Sequence, residues 1–475
     1  MPQDSSTSLP EARTIHLDGR TLEGGGQLVR IAVALSALTR QPVTIDHIRG
    51  NRQGKKGLKG SHLAAIKFLA DVSGSSVSGA GLGSSTLGFR PSSRTAAIIV
   101  QSNIKIQLPT AGSVFLVFQA LYPYLLHASS QGSLDTGGSP ITLAITGGTN
   151  VSFSPSFDYV SQVVVPNFSR IGLPHLSVHL NRRGWATGPF NLGTVTIILD
   201  PLHPGRGSRS HFPSIDLNQY QRGKVTHIDI TVLAPDDPLT EGEKGSKDKG
   251  YGKLDSATRR QQPRGQEGDG DGSLYPTSTI RQYVEQETFR KLRKGLQKLP
   301  SWIFDAPEPV SDPQVEIRGG EDDDSDRIVP IRTHTSEATH HPSHLYVLIV
   351  AHTSSGFNIG HDTLNGARQD GASSSRQPGI DRHRLRGTVV AASNVVEQCV
   401  AGFLQELYDA KLQGCNIDSG LTSRPCVDEH MRDQVVIFEA LGAQLRGDPC
   451  PQVEDERYWS LHTKTAQWVC EKMMR

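Results

Sequence analysis

The chain has 475 residues, which at about 150 residues per domain gives two to three domains and room for a sizeable core. Basic residues number 49 and acidic residues 48, so the formal net charge is +1. This excludes a global basic field for nucleic acid or membrane, and any polyanion must be held by a local cluster. Hydrophobic residues make up 36%, beside 48 Gly and 28 Pro, which predicts unpacked segments diluting a real core.

Residues 1–13 are expected to be disordered, and they lack the charged-then-apolar pattern of a secretory signal. No apolar run approaches the roughly 18 residues that span a bilayer, so an intracellular protein with no membrane partner is expected. The five cysteines (Cys399, Cys415, Cys426, Cys450, Cys470) form neither CxxC pairs nor a disulfide framework and read as reduced structural thiols.

From Thr14 to about Asp200, short apolar runs alternate with amphipathic helical spacing. Leu28, Ile31, Ala32, Leu35 and Leu38 predict a helix after a triple glycine, VTIDHI a strand, Leu58 to Val72 a helix and TAAIIVQ a strand. The order recurs: NIKIQL, a helix from Ser113 to about His127, ITLAITGG, a helix from about Phe157 to Ile171, then HLSVHLN and TVTIILD. A duplicated βαβαββ unit accounts for this pattern. After Asp200 the strand VTHIDITVLA and a charged helix from Ser278 to about Leu299 predict a small α/β domain over 201–344, inserted into the large one. Its polar stretches 235–276 and 307–343 are expected to lack fixed structure. From Leu345, LYVLIVAHTS and helices near Val389–Tyr408 and Arg432–Leu445 read as a third unit, so the large domain spans 14–200 and 345–475.

Three segments could carry chemistry. Leu22-Glu23-Gly24-Gly25-Gly26-Gln27 leads into Arg30: backbone N–H groups at a helix N-terminus favour an anion, and Glu23 offers a hard oxygen to Mg²⁺ or Mn²⁺. A Gly-rich turn with a solvated Glu is the plainer reading. Arg49, Arg52, Lys55, Lys56 and Lys59, ahead of His62, make a phosphate-sized cationic target or a solvated loop. In Ser460-Leu461-His462-Thr463-Lys464-Thr465 a neutral imidazole could attack an activated phosphorus, with the flanking hydroxyls orienting it or binding phosphate oxygens; an ordinary histidine is the alternative. His334, His340, His341 and His344 fall in the polar stretch and read as loop composition.

Together, LDGRTLEGGGQLVR, IRGNRQGKKGLKGSHLAA, TAGSVFLVFQALYP, GGTNVSFSPSFDYV, VDEHMRDQVVIFEALG and LHTKTA resemble the RNA 3'-terminal phosphate cyclase family, in that family's order. The resemblance implies an α/β (α+β) fold, with a large domain of three repeated βαβαββ units and a small inserted α/β domain. It also implies ATP-dependent conversion of an RNA 3'-phosphate end to a 2',3'-cyclic phosphodiester through a histidine-AMP intermediate and an RNA-adenylate. By position, His462 is the nucleophile, and Glu23 associates with Mg²⁺ or Mn²⁺. Gln119, Pro155, His430, Asp433 and Gln434 contact the adenylate, while Arg30, Arg49 and Arg52 bind RNA or nucleotide phosphates. A nuclear location is implied, with cytoplasm as the second compartment. The sequence departs from the family at His430, where Tyr is common, at Lys56, which replaces a Pro, and in WATGPFNLG. His462 also lies near the end of the sequence, where the family continues into at least one more strand, so a shortened third sheet is expected. The rival reading is the family's noncatalytic branch of RNA-binding or ribosome-biogenesis factors, against which His462 itself argues.

Overall fold

The computed structural model describes residues 13–92, 101–130, 139–188, 191–202, 212–239, 279–305, 329–365, 381–409, 424–444 and 458–474. Residues 1–12, most of the polar stretch 235–276, residues 306–328 and the strand expected at TAAIIVQ lie outside them. The fold is mixed α/β, built on three four-stranded mixed sheets.

The first sheet arises from β1 (Ile15–Asp18), α1 (Gly26–Thr39), β2 (Val43–Asp46), α2 (Gly60–Ser73), β3 (Ser76–Ser78) and β4 (Leu87–Arg90). Its spatial order is β1-β2-β4-β3, with β1 and β2 parallel and β4 antiparallel to both of its neighbours. The second repeats the plan. It contains β5 (Asn103–Gln107), α3 (Val114–Ser130), β6 (Ile141–Gly147), three consecutive helical pieces together called α4, β7 (Leu176–Arg182) and β8 (Gly193–Leu199), in the order β5-β6-β8-β7. The α4 pieces are Phe157–Tyr159, a π turn Val160–Val164 and Val165–Arg170. Ile141, Leu143 and Ile145 alternate inward on β6, as the period of two in ITLAITG requires.

The third sheet has a different order. β9 (Val225–Pro235), α5 (Ile280–Leu296), β10 (Ile331–Thr339), β11 (Tyr346–Thr353), β12 (Asn358–Leu364) and α6 (Asp381–Leu407) give β10-β9-β11-β12. Strands β11 and β12, expected to belong with the large domain beyond residue 345, hydrogen-bond into the sheet founded by β9. The third sheet therefore draws strands from both sides of that boundary and has four strands among the described residues. β10 falls inside the stretch 307–343, where no fixed structure was expected. It pairs in parallel with β9 along one edge, and because its side chains are mostly solvated, IRTHTSEAT carries little apolar alternation.

Strand β11 is buried on both faces. Tyr346, Leu348 and Val350 join the large core shared with the first two sheets, while Val347, Ile349 and Ala351 join a second core beneath α5 and α6. A strand covered on both sides reads as the continuous apolar run LYVLIVA. Helix α6 includes Gly387–Leu407, which is long and apolar enough to cross a bilayer by length and composition. Its Ala392, Val396, Cys399 and Phe403 are buried in that second core. Cys399, Cys426 and Cys470 are all buried, as expected of structural cysteines.

Polar contacts lock the third sheet to α4. Asn167 exchanges two hydrogen bonds of 2.9 Å with the backbone of Asn358, and Gln162 donates to Thr231 at 2.9 Å. Arg183 bridges Asp158 at 2.7 Å and Glu337 of β10 at 2.9 Å. Helices α7 (Glu429–Gln444) and α8 (Leu461–Met473) pack on each other, and α8 packs on α1, so residues distant in sequence meet at the start of α1. Leu348→Ala should lower the unfolding free energy by about 2–5 kcal/mol in chemical denaturation, because the deleted side chain fills the shared core.

Candidate active site

The Gly-rich turn is shaped by its backbone. Gly24 has φ +63°, and a Cβ there would meet the Gly19 carbonyl oxygen at 2.6 Å, so the turn tolerates little else. A Cβ on Gly26 would lie 2.4 Å from His62 Nε2, so its absence lets α2 approach the first turn of α1. The turn is tied to α8 by the Glu23 N–H, which donates to Thr465 Oγ1 at 3.2 Å.

Where α1, α7 and α8 converge, Gln27 joins two of the expected residues. Its Nε2 donates to Asp433 Oδ2 at 2.9 Å, and its Oε1 lies 3.2 Å from His462 Nδ1. The first contact fixes which end of the amide faces the imidazole, so Nδ1–H is the donor and Nε2 keeps its lone pair. Glu23 Oε2 is 3.4 Å from His462 Nδ1, and Asp433 Oδ2 is 4.0 Å from it. The His462 side chain is 46% exposed, against 8% for Glu23 and 12% for Asp433, so two sheltered carboxylates back an accessible ring. The hydroxyls around His462 serve the fold: Ser460 Oγ caps α8 through the Thr463 N–H, and Thr463 and Thr465 are buried.

Beside this cluster a narrow cleft of about 40 Å³, open to solvent, lies between α1, α3, α4 and α7. Gln27, Arg30, Gln119, Pro155, Asp433 and Gln434 supply its polar and turn residues, and Phe115, Phe118, Phe168 and Phe438 are among its apolar walls. An apolar slot with a few convergent polar groups is the usual form of a small-molecule site. The π turn contributes Val160 and Val164 to the wall. His430 does not line the cleft. It sits at the start of α7, with its ring 6.3 Å from Tyr159 and 5.9 Å from His361.

The basic loop divides by function. Arg52 ion-pairs with Glu23 Oε1, while Arg49, almost fully buried, donates to the Lys55 carbonyl at 3.3 Å. Lys55 and Lys56 are exposed. Burial, opposed by Asp433 and Glu23, brings the Arg30 guanidinium down to about 10. Burial also lowers Arg49 and Lys59, each pushed further by neighbouring arginines. His62 lies among these cations and is held at about 3, by burial first and then by Arg30, Arg49 and Lys59. It is neutral at physiological pH, and its Nδ1 accepts the Lys59 N–H at 3.2 Å, so its Nε2 carries the proton.

The four-histidine cluster lies on ordered structure rather than in a loop of no fixed shape. His334 is on β10, and the buried His344 stacks on Trp185 with centroids 4.5 Å apart. Gln27 is the member of this cluster least legible in the sequence, since in LEGGGQLVR it reads only as the first turn of a helix. Its distinguishing signal is position: a buried glutamine one residue after the glycines.

Residues 21–475 match the family model described as RNA 3'-terminal phosphate cyclase. The chain belongs to the RNA 3'-terminal phosphate cyclase family. Among curated relatives of that name, the protein from Desulfurococcus amylolyticus is 38% identical over 170 residues, 36% of this chain and 43% of the relative. That from Koribacter versatilis is 36% identical over 188 residues, 40% of this chain and 48% of the relative. That from Thermococcus sibiricus is 37% identical over 181 residues, 38% and 47% respectively. The chain thus spans about half the length of the curated relatives it matches.

The depressed His62 sets a pH expectation with a definite sign. Below its unfolded value of 6.5 the unfolded chain binds a proton that the folded chain refuses, down to about 3. The stability this site contributes is therefore complete above 6.5 and is lost as pH falls toward 3. Urea melts between neutral and acid pH should show His62→Gln losing less stability on acidification than the parent.

Proposed function

We propose that this cyclase-family chain uses ATP to convert an RNA 3'-terminal phosphate into a 2',3'-cyclic phosphodiester, with His462 carrying AMP between the two. The observation that carries this reading is the Asp433–Gln27–His462 hydrogen-bonded chain at the edge of the apolar cleft. It presents Nε2 as a free lone pair and braces Nδ1–H from behind.

In the first step Nε2 forms a bond to the α-phosphorus of ATP and pyrophosphate leaves. The ring then bears a positive charge with its proton kept on Nδ1. Glu23 Oε2, the Gln27 carbonyl oxygen and Asp433, fixed before reaction, stabilise that charge. An adenine entering the cleft mouth would meet aromatic walls and be addressed by Gln119, Pro155 and Gln434, while His430 would act from outside the cleft lining. In the second step a 3'-phosphate oxygen takes AMP from His462, and the neutral imidazole returns. In the third the adjacent 2'-hydroxyl attacks the activated phosphorus, loses its proton and expels AMP, favoured by proximity. Arg30, Arg49 and Arg52 form the cationic side that would receive these phosphates.

Glu23 also fits a divalent cation. Both of its carboxylate oxygens are buried without a well-directed hydrogen bond, and only Oε1 is ion-paired to Arg52. Mg²⁺ or Mn²⁺ held there would neutralise phosphate charge.

Incubation with α-labelled ATP and Mg²⁺ should label the protein through an acid-labile, base-stable bond that His462→Ala abolishes. RNA ending in a 3'-phosphate should then become cyclic. Gln27→Leu should keep the fold and slow labelling by about 10–100-fold, since the nucleophile loses its orientation. A folded chain that binds RNA but never acquires label would sink the proposal in favour of a noncatalytic binding role.

A further inference from the structure

We propose a second metal site, unconnected with the adenylylation chemistry, on the third sheet, where His227, Asp229 and His352 form a three-ligand set for Zn²⁺. His227 and His352 are direct cross-strand partners on the antiparallel strands β9 and β11. Asp229, two residues along β9 from His227, projects from the same face. One ligand atom from each residue lies within 4.8 Å of the others, and His352 Nε2 is 3.0 Å from Asp229 Oδ2. Ligand atoms around a tetrahedral zinc with bonds near 2.0–2.1 Å stand about 3.3 Å apart, so closure needs side-chain movements of about 1.5 Å at most. The set is two borderline imidazoles and one hard carboxylate, a combination that suits zinc and leaves a position for water.

Two further features prepare the site. Thr226 Oγ1 donates its proton to the His352 carbonyl at 3.1 Å, so at 3.0 Å from His227 Nδ1 it must act as acceptor. That places the His227 proton on Nδ1 and leaves Nε2 free for a metal, the outer-sphere arrangement common to histidine ligands. The two rings also stack with centroids 4.1 Å apart and planes 2° apart. Metal binding would displace the Nε2 proton of His352, now shared with Asp229, either to Nδ1 or to solvent. Arg332, in register with Asp229 on β10, contributes positive charge, so binding should tighten in Arg332→Ala.

The site is distinct from the cleft. Tyr346 bonds Ser156, next to Pro155 of the cleft, at 2.6 Å, whereas His352 stands six residues further along β11, about 20 Å away at strand spacing.

The test titrates the metal-free full chain with Co²⁺, a spectroscopic substitute for zinc, reading visible absorption and then displacing with Zn²⁺. Expected are one Co²⁺ per chain with an intense low-coordination band and loss of that band on adding Zn²⁺. Affinity should fall at least about tenfold in His227→Gln and in His352→Gln, with native circular dichroism. The band should survive in Glu23→Gln and His462→Ala. Absence of the band from the folded parent, or its persistence at full affinity in His227→Gln and His352→Gln, overturns the proposal and leaves a structural histidine–aspartate pair. Loss of the band in His462→Ala would also overturn it, by placing the cobalt in the cleft region.

Discussion

The contact between Gln27 and His462 is the constraint on which the arrangement of the site depends. An amide can face an imidazole in two ways, and only the bond from Gln27 Nε2 to Asp433 selects the carbonyl end. That selection places the proton on Nδ1 and the lone pair on Nε2. It requires α1, α7 and α8 to start within reach of one another, although α1 precedes the other two by some four hundred residues. The packing of α8 on α1, the Glu23–Thr465 bond and the cap from Ser460 supply that proximity. Precision at His462 is therefore a property of the whole large core rather than of the LHTKTA segment.

Charge around the cluster is balanced with similar economy. Arg30, Arg49, Arg52 and Lys59 gather near the glycine turn, and their mutual repulsion is offset by Glu23 and Asp433. A further charge on His62 would tip that balance, and its burial keeps it neutral. The residual cationic character faces the region where phosphates would approach, without changing the near-zero net charge of the chain. Local clustering, not global charge, is what suits such a protein to a polyanion.

Much of this was readable before any coordinates. The second sheet and the helices of the first follow from alternation and helical spacing, and the glycine turn, basic loop and histidine segment announce themselves by residue type. Gln119, Pro155, Asp433 and Gln434, identified only by family resemblance, line one cleft together. The misreadings have physical causes. β3 and β4 are short and rich in Ser and Gly, and β10 is a solvated edge strand whose sequence looks like a loop. The third sheet misled because LYVLIVA is equally suited to either core, being buried on both faces, and only pairing with β9 decides its membership. Gln27 escaped notice because a glutamine beside glycines has no chemistry until Asp433 and His462 stand next to it.

The most direct test of the central claim is the tautomer of His462 in the free protein, read by long-range ¹H–¹⁵N correlation with ¹⁵N-histidine and assigned by loss of its signal in His462→Ala. The account predicts a protonated Nδ1 and an unprotonated Nε2 at neutral pH, with the preference relaxed in Gln27→Leu. A ring protonated on Nε2 with Nδ1 free would contradict it, because the free lone pair would then point back toward Gln27 and Glu23 rather than outward.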